Sequence, residues 1–416
     1  MAESASTPPT PPPFGGLQAI FPQLVADPYP FYAMLRGSNP VLRVPIPDHE
    51  GAGLWALTRH ADVQQVLRDP RFSVNRLKSD LVRDRSGLVP AELFDNLDQL
   101  RSMLIVDDPD HTRLRDQVKA RFLPRAVAAL RGRIQDIVDE LLGGVEGDRM
   151  DIVDELAVPL PAIVIAELLG VPVEDRARFK QWSTELLSVL GGTGDRAEGI
   201  ARFRSALGKL IAYLAEIVEQ RRREPRDDLL SEMVQAEREQ ALTAEELLAN
   251  ANVLLIAGHE TTTNLIGNGM LALLQNPEQL ELLRSDPALM PAAIDELLRY
   301  DSPVQATVRV ALADVELGEH VVQKGALVAC FLGAANRDPE VFPEPDRLDI
   351  TRDAQRHLAF GFGAHFCLGS RLARLEGTLA LQGLLDRHAQ LRLTGEKLEY
   401  RPSPFLRGLK ALPVAL

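Results

Sequence analysis

The sequence predicts a mainly α-helical protein with a minor β part, in which one long helix crosses the body of the molecule. Three observations carry this. Thr243, with Glu246 three residues on, forms a capping box that opens an apolar-periodic segment running to Gln275, where Asn276-Pro277 stops it. Thirty-odd residues at the helical rise span roughly 48 Å, so such a helix must cross the core. Apolar residues recur at three- and four-residue spacings over 126–142, 151–169 and 196–224. Strand-like runs are few: 53–58, 307–310, 321–322 and 327–331, with turn residues at Lys324-Gly325. They suggest a small sheet built from both ends of the chain.

Composition agrees with a globular chain. Of 416 residues, 45% are apolar and 25% charged, enough for a large core and against disorder. Length alone suggests two or three domains. Acidic residues outnumber basic ones 59 to 46, for a net charge of −13. That excludes a general attraction for nucleic acid or anionic membrane. The most apolar stretch, 156–173, is interrupted by Pro159, Pro161, Glu167 and Pro172 and cannot span a bilayer. Two cysteines, Cys330 and Cys367, make no disulfide framework and point to a reducing compartment, the cytoplasm. Residues 1–24, Pro-rich at the start and without a targeting signal, read as a mobile arm. Irregular stretches are expected at 73–104, 191–195 and 337–357.

The segment richest in chemistry is Phe360-Gly361-Phe362-Gly363-Ala364-His365-Phe366-Cys367-Leu368-Gly369. Its glycines permit tight turns and close approach of backbone to something flat or bulky. Helical periodicity follows from Ser370, so Cys367 lies at or just before a helix N-terminus, where the dipole and free N–H groups favour a thiolate. Cys330, in an apolar run, reads as core. In the long helix, Gly258 and the threonines 261–263 are poor helix formers, which predicts a local breach in the hydrogen-bond ladder. Glu296 and Arg299, three apart, share a helix face. So do His111 and Arg115, four apart in a helix beginning near Pro109. Arg309 is a charge in an apolar strand, costly unless paired.

These segments, in this order, resemble the cytochrome P-450 family. Phe360, Gly363, Cys367 and Gly369 match its haem-binding loop, and Ala257-Gly258-His259-Glu260-Thr261 matches its oxygen-side helix motif. The resemblance covers about residues 25–416. It implies a single catalytic domain of that length, with a long central helix crossing a triangular helical body.

By the resemblance Cys367 is the axial ligand of haem b iron, and His111, Arg115, Arg309 and His365 bind the propionates. Glu260 and Thr261 are the acid–alcohol pair that delivers protons to dioxygen, and Ala257 faces the substrate. Glu296, Arg299 and Arg347 form a structural trio holding the cysteine loop. The implied activity is a monooxygenase acting on an apolar secondary metabolite, lipid or terpenoid by hydroxylation or epoxidation. Electrons would come from NAD(P)H through a separate ferredoxin reductase and ferredoxin to a monomer. Arg113, Arg121, Arg125, Arg371 and Arg374 would form a basic face for the acidic ferredoxin. The alternatives are a peroxide-driven peroxygenase and a non-enzymatic haem sensor. The acid–alcohol pair speaks against the first, and the lack of an output domain against the second.

Overall fold

In the computed structural model, residues 23–44, 53–83, 101–172 and 196–416 are described, apart from 404, with 175, 178 and 182 between them. The expected arm falls outside the described residues except at its last two positions. So do residues 191–195 and much of 73–104.

Chain order begins with helix α1 (Tyr29–Ser38), strands β1 (Val41–Val44) and β2 (Leu54–Leu57), helix α2 (His60–Arg68) and the short β3 (Phe72–Ser73). After the undescribed stretch comes α3 (Asp110–Asp116), then α4 (Pro124–Ala129) and α5 (Arg131–Gly143). These last two replace the single helix expected over 126–142, with the break at Leu130. β4 (Arg149–Asp151) and a π-helical turn (Val153–Ala157) lead into α6 (Pro159–Leu169). Pro159 opens that helix, where its missing N–H costs nothing.

The helical body is completed by α7 (Arg196–Arg223), α8 (Leu229–Arg238), α9 (Ala244–Gln275), α10 (Pro277–Ser285) and α11 (Met290–Tyr300). α9 is the long helix of the sequence reading. Thr243 Oγ1 accepts from the Glu246 N–H at 3.2 Å, and Glu246 Oε2 accepts from the Thr243 N–H at 3.1 Å. Its interior is buried on most sides, as expected of a helix that crosses a core. It packs chiefly on α6, with α7, α11 and the π-helical turn around it.

The expected breach at Gly258 to Thr263 does not occur. The ladder runs through, and the threonine hydroxyls are satisfied by bonding back: Thr261 Oγ1 to the Ala257 carbonyl at 2.7 Å, and Thr263 Oγ1 to the His259 carbonyl at 3.1 Å.

The β part forms two main sheets rather than one. β5 (Thr307–Ala311) and β8 (Leu327–Cys330) join the early strands in the order β1-β2-β8-β5-β3. Leu54 pairs with Leu327 in the parallel β2–β8 step, and the other steps are antiparallel. β6 (Val315–Leu317) and β7 (His320–Val322) make a separate hairpin.

Helix α12 (Ser370–Arg387) follows the glycine loop and packs against α9, α5, α11 and α4. β9 (Arg392–Leu393) and β10 (Pro413–Ala415) then form a second sheet with β4, ordered β4-β10-β9. Cys330 is fully buried in β8, as expected, and burial pushes its thiol up to about 12. Residues 337–357 contain no helix or strand and form the long loop foreseen.

Candidate active site

The cysteine loop is held from below by backbone. The Cys367 N–H donates to the Phe360 carbonyl at 2.9 Å, and the Gly361 N–H to the Leu358 carbonyl at 2.8 Å. Gly363 has φ +75°, and a Cβ there would stand 2.6 Å from the Leu67 carbonyl oxygen of α2. No other residue type fits that contact. Cys367 precedes Gly369, the N-cap of α12.

The helix end favours the thiolate as expected, but it does not set the balance. Burial is the larger influence and raises the Cys367 thiol. The Gly369 and Ser370 N–H groups, Arg115 and Arg374 oppose it without prevailing. Protein surrounds the sulfur, yet Cys367 keeps some accessible surface.

α9 has an accessible patch near its middle. Ala257 is exposed and Val253, Gly258 and Thr261 partly so, in the middle of a helix otherwise buried. Glu260 is 5% exposed and its Oε2 has no hydrogen-bond partner. Burial raises its carboxyl pKa, partly offset by the field of Arg401 and by Asn264 beside it. His259 points away, its Nε2 3.1 Å from the Val158 carbonyl.

Four basic side chains converge beside the loop. The His111 and His365 rings stack with centroids 3.9 Å apart. Burial, then the neighbouring His111, push the His365 pKa down to about 4, and burial also lowers that of His111. Both rings therefore stay neutral and can donate a single N–H each. Arg115 Nη2 donates to the Phe366 carbonyl at 2.8 Å. Arg309 is 7% exposed and donates only to Thr307 Oγ1 and the Val308 carbonyl, each at 3.1 Å.

Among the described residues no carboxylate hydrogen-bonds any of the four. Asp108 Oδ1 comes within 3.6 Å of His111 Nδ1, beyond bonding distance. The nearby Asp107 is taken by Ser73, the Val74 N–H and Lys78. A buried guanidinium without an anion is costly, so this cluster fits a dianionic group at the edge of a flat cofactor.

Glu296 and Arg299 lie wholly inside the protein, joined by two bonds of 2.7 and 2.8 Å. Arg299 Nη1 also donates to the carbonyls of Asn336 and Pro345. Asn336 Oδ1 in turn accepts the Leu358 N–H at 2.6 Å, which ties the pair to the cysteine loop. The third member is not the Arg347 side chain. That guanidinium is 59% exposed and pairs with Glu344, and only its carbonyl touches Arg299, at 3.4 Å. Arg352 takes the place, its Nε 3.3 Å from Glu296 Oε1. Sequence offered no signal to choose between two arginines in one charged loop.

The expected basic face is also smaller than foreseen. Arg113 is occupied by Glu246 and Asp110, Arg121 by Asp227 and Glu232, and Arg374 by Asp295. Arg125 and Arg371 are exposed, with no ion pair among the described residues.

A helical body crossed by one long helix, with a glycine-rich thiol loop leading into the helix packed against it, is the architecture of a haem-thiolate monooxygenase. The cytochrome P450 family model matches residues 78–405, and the chain belongs to that family. Vitamin D(3) 25-hydroxylase of Pseudonocardia autotrophica is 44% identical over 396 residues, covering 94% of each chain. Cytochrome P450 monooxygenase PikC of Streptomyces venezuelae is 43% identical over 412 residues, covering 97% of this chain and 94% of its own. Among solved structures, the myxobacterial cytochrome P450 CYP267B1 in complex with myristic acid superposes with a TM-score of 0.87 at 40% identity, over 96% of this chain and 98% of that one. P450BioI in complex with an acyl carrier protein ligated to hexadec-9Z-enoic acid gives 0.85 at 37% identity, over 95% and 99%. The protein is thus a cytochrome P450 enzyme. No helix among the described residues is long and apolar enough to cross a membrane.

Proposed function

We propose that Cys367 is the thiolate ligand of haem b iron and that His111, Arg115, Arg309 and His365 hold the two propionates. The observation that carries this reading is the gathering of four basic side chains, none hydrogen-bonded to a carboxylate, around a glycine-rich thiol loop. Bound haem would supply the electron-transfer and dioxygen chemistry, with the thiolate donating electron density to favour O–O cleavage.

The chain's own residues do the rest. Burial raises the Glu260 carboxyl above its ordinary range, which favours its holding a proton. The Thr261 hydroxyl, on the accessible face beside Ala257, passes protons into the pocket and can accept one in exchange. Ala257 presents only a methyl group and leaves room for an apolar substrate.

Relatives named for a vitamin D hydroxylation and solved with a fatty acid or fatty acyl ligand support a lipid-like substrate, hydroxylated or epoxidised. By the pattern of the family, electrons would come from NAD(P)H through a separate ferredoxin reductase and ferredoxin, to a monomer in the cytoplasm.

The test is spectroscopic. The reduced carbon monoxide complex of the wild type should show the red-shifted Soret band of thiolate haem, and Cys367→Ser should lose it. Cys330→Ser should keep it. Retention of the band in Cys367→Ser would end the assignment.

A further inference from the structure

Arg76 opens a single 3-10 turn (Arg76–Lys78) shortly after β3. Among the described residues its guanidinium has no hydrogen bond, ion pair or ring contact. Its cationic neighbours are spoken for: Lys78 by Asp107 at 2.7 Å, and Arg71 by Asp69 at 2.6 Å. Arg76 keeps a large accessible surface, yet burial, and no neighbouring charge, lowers its pKa. A guanidinium on an open face stays hydrated. Accessible surface together with desolvation describes a side chain that lines a recess.

Two features place that recess. β3 pairs with β5, Ser73 opposite Val310, and the turn carrying Arg76 packs against β5 as well. β5 carries Arg309, and the charge of Arg76 lowers the pKa of that neighbour. The turn is also braced on both sides. Asp107 accepts from Ser73 Oγ and from the Val74 N–H, and Asn75 Oδ1 caps the turn from the Leu77 N–H at 3.1 Å. Beyond it, Ser79 Oγ and the Asp80 N–H donate to the Gly325 carbonyl at 2.9 and 3.2 Å. A cation on so fixed a turn costs less to order around a ligand.

Charge counting says what the ligand is. The two haem propionates would be balanced by Arg115 and Arg309, with His111 and His365 held neutral by burial. Asp107, whose field reaches Arg309, is spent on Ser73, Val74 and Lys78. A third guanidinium at this edge, desolvated and unpaired, calls for a third anion.

We propose that Arg76 binds a carboxylate of the substrate, so that the enzyme takes an apolar acid of the fatty-acid type rather than a neutral lipid. The proposal rests on the lipid-like substrate of the monooxygenase reading. The guanidinium fork matches the two carboxylate oxygens with parallel charge-assisted bonds, about twice as strong as neutral ones. An alcohol of the same chain leaves the cation unpaired, and the site rejects it for that reason.

The experiment titrates the ferric holoenzyme with decanoic, tetradecanoic and hexadecanoic acids and with the matching primary alcohols, following the haem spin-state shift. In the wild type at least one acid should bind about tenfold more tightly than its alcohol. Arg76→Gln and the apolar Arg76→Met should each weaken that acid about tenfold and leave the alcohol within about twofold. Should one variant fail to bind haem, the other decides. Equal affinities for acid and alcohol in the wild type, or a loss shared by both in the variants, would overturn the proposal. Haem itself is the other source of a carboxylate. If Arg76 held a propionate, the variants would lose haem faster to apomyoglobin and keep the preference for acid, which overturns the proposal too. A failed monooxygenase reading shows separately, as a wild type without the red-shifted carbon monoxide band.

Discussion

Glu376 shows at the scale of one residue what burial does to a charge. It lies in α12 at 3% exposure with no partner for its Oε2, and burial alone raises its carboxyl pKa well above the usual value. The sign follows from linkage. A carboxyl whose folded pKa is raised binds more protons folded than unfolded, so its contribution to stability declines as pH rises above the ordinary carboxylate range. Glu376→Gln removes that dependence. Its advantage in unfolding free energy over the wild type should grow with pH, by about 1.4 kcal/mol per unit until the folded carboxyl itself ionises. Unfolding midpoints of both proteins from pH 5 upward, on the order of one unit apart, check this. A difference that stays flat across the series would mean the carboxyl already ionises in the folded state.

At the scale of elements, the buried Glu296–Arg299 pair within α11 ties that helix to the long loop through the Arg299 bonds to the Asn336 and Pro345 carbonyls. Arg299→Ala leaves Glu296 buried and charged and should cost about 3–5 kcal/mol in denaturant unfolding. Arg352→Ala should cost less, since Arg352 makes one contact of 3.3 Å with Glu296 and is more exposed. Arg347→Ala, at an exposed pair, should cost under about 1 kcal/mol. Equal losses for Arg347 and Arg352 would contradict the placement of the third cation. The same contrast marks what a sequence carries. Thr243, Glu246 and Pro277 are local signals, and the helix they bound is where they put it. Gly363 and Cys367 are likewise legible because their spacing is fixed within one turn. The choice of Arg352 over Arg347 depends on how a loop folds onto a helix more than fifty residues earlier in the chain. Two-residue strands such as β3 and β9 were invisible because no period shows in two residues.

At the scale of the molecule, the arginine face is a matter of which cations are left over. Acidic partners from other elements claim Arg113, Arg121 and Arg374, as Glu246 of α9 claims Arg113. A chain of net charge −13 has carboxylates to spare for this, and residue counts alone do not reveal the pairing. Arg125 of α4 and Arg371 of α12 remain, on helices that pack together. Charge reversal at both should slow reduction by an acidic ferredoxin at low salt, through the association rate, with the effect fading as salt rises. Reversal at the already paired Arg113 should instead lower stability, because it sets a third acid beside Glu246 and Asp110. Stopped-flow reduction with a small neutral reductant as the control separates the outcomes. An unchanged ferredoxin rate in the double variant would move the docking face elsewhere.

The buried Glu296–Arg299 pair also bears on how such a sequence can change over generations. Losing either partner alone strands a charge in the core, so every first step away is strongly unfavourable. Replacing both at once by apolar residues is often harmless elsewhere, yet here Arg299 also serves the carbonyls of Asn336 and Pro345. The double replacement would orphan those acceptors and loosen the route to Leu358. Neither single nor paired drift has an open path, so these two positions should resist substitution while the exposed arginines around them vary freely.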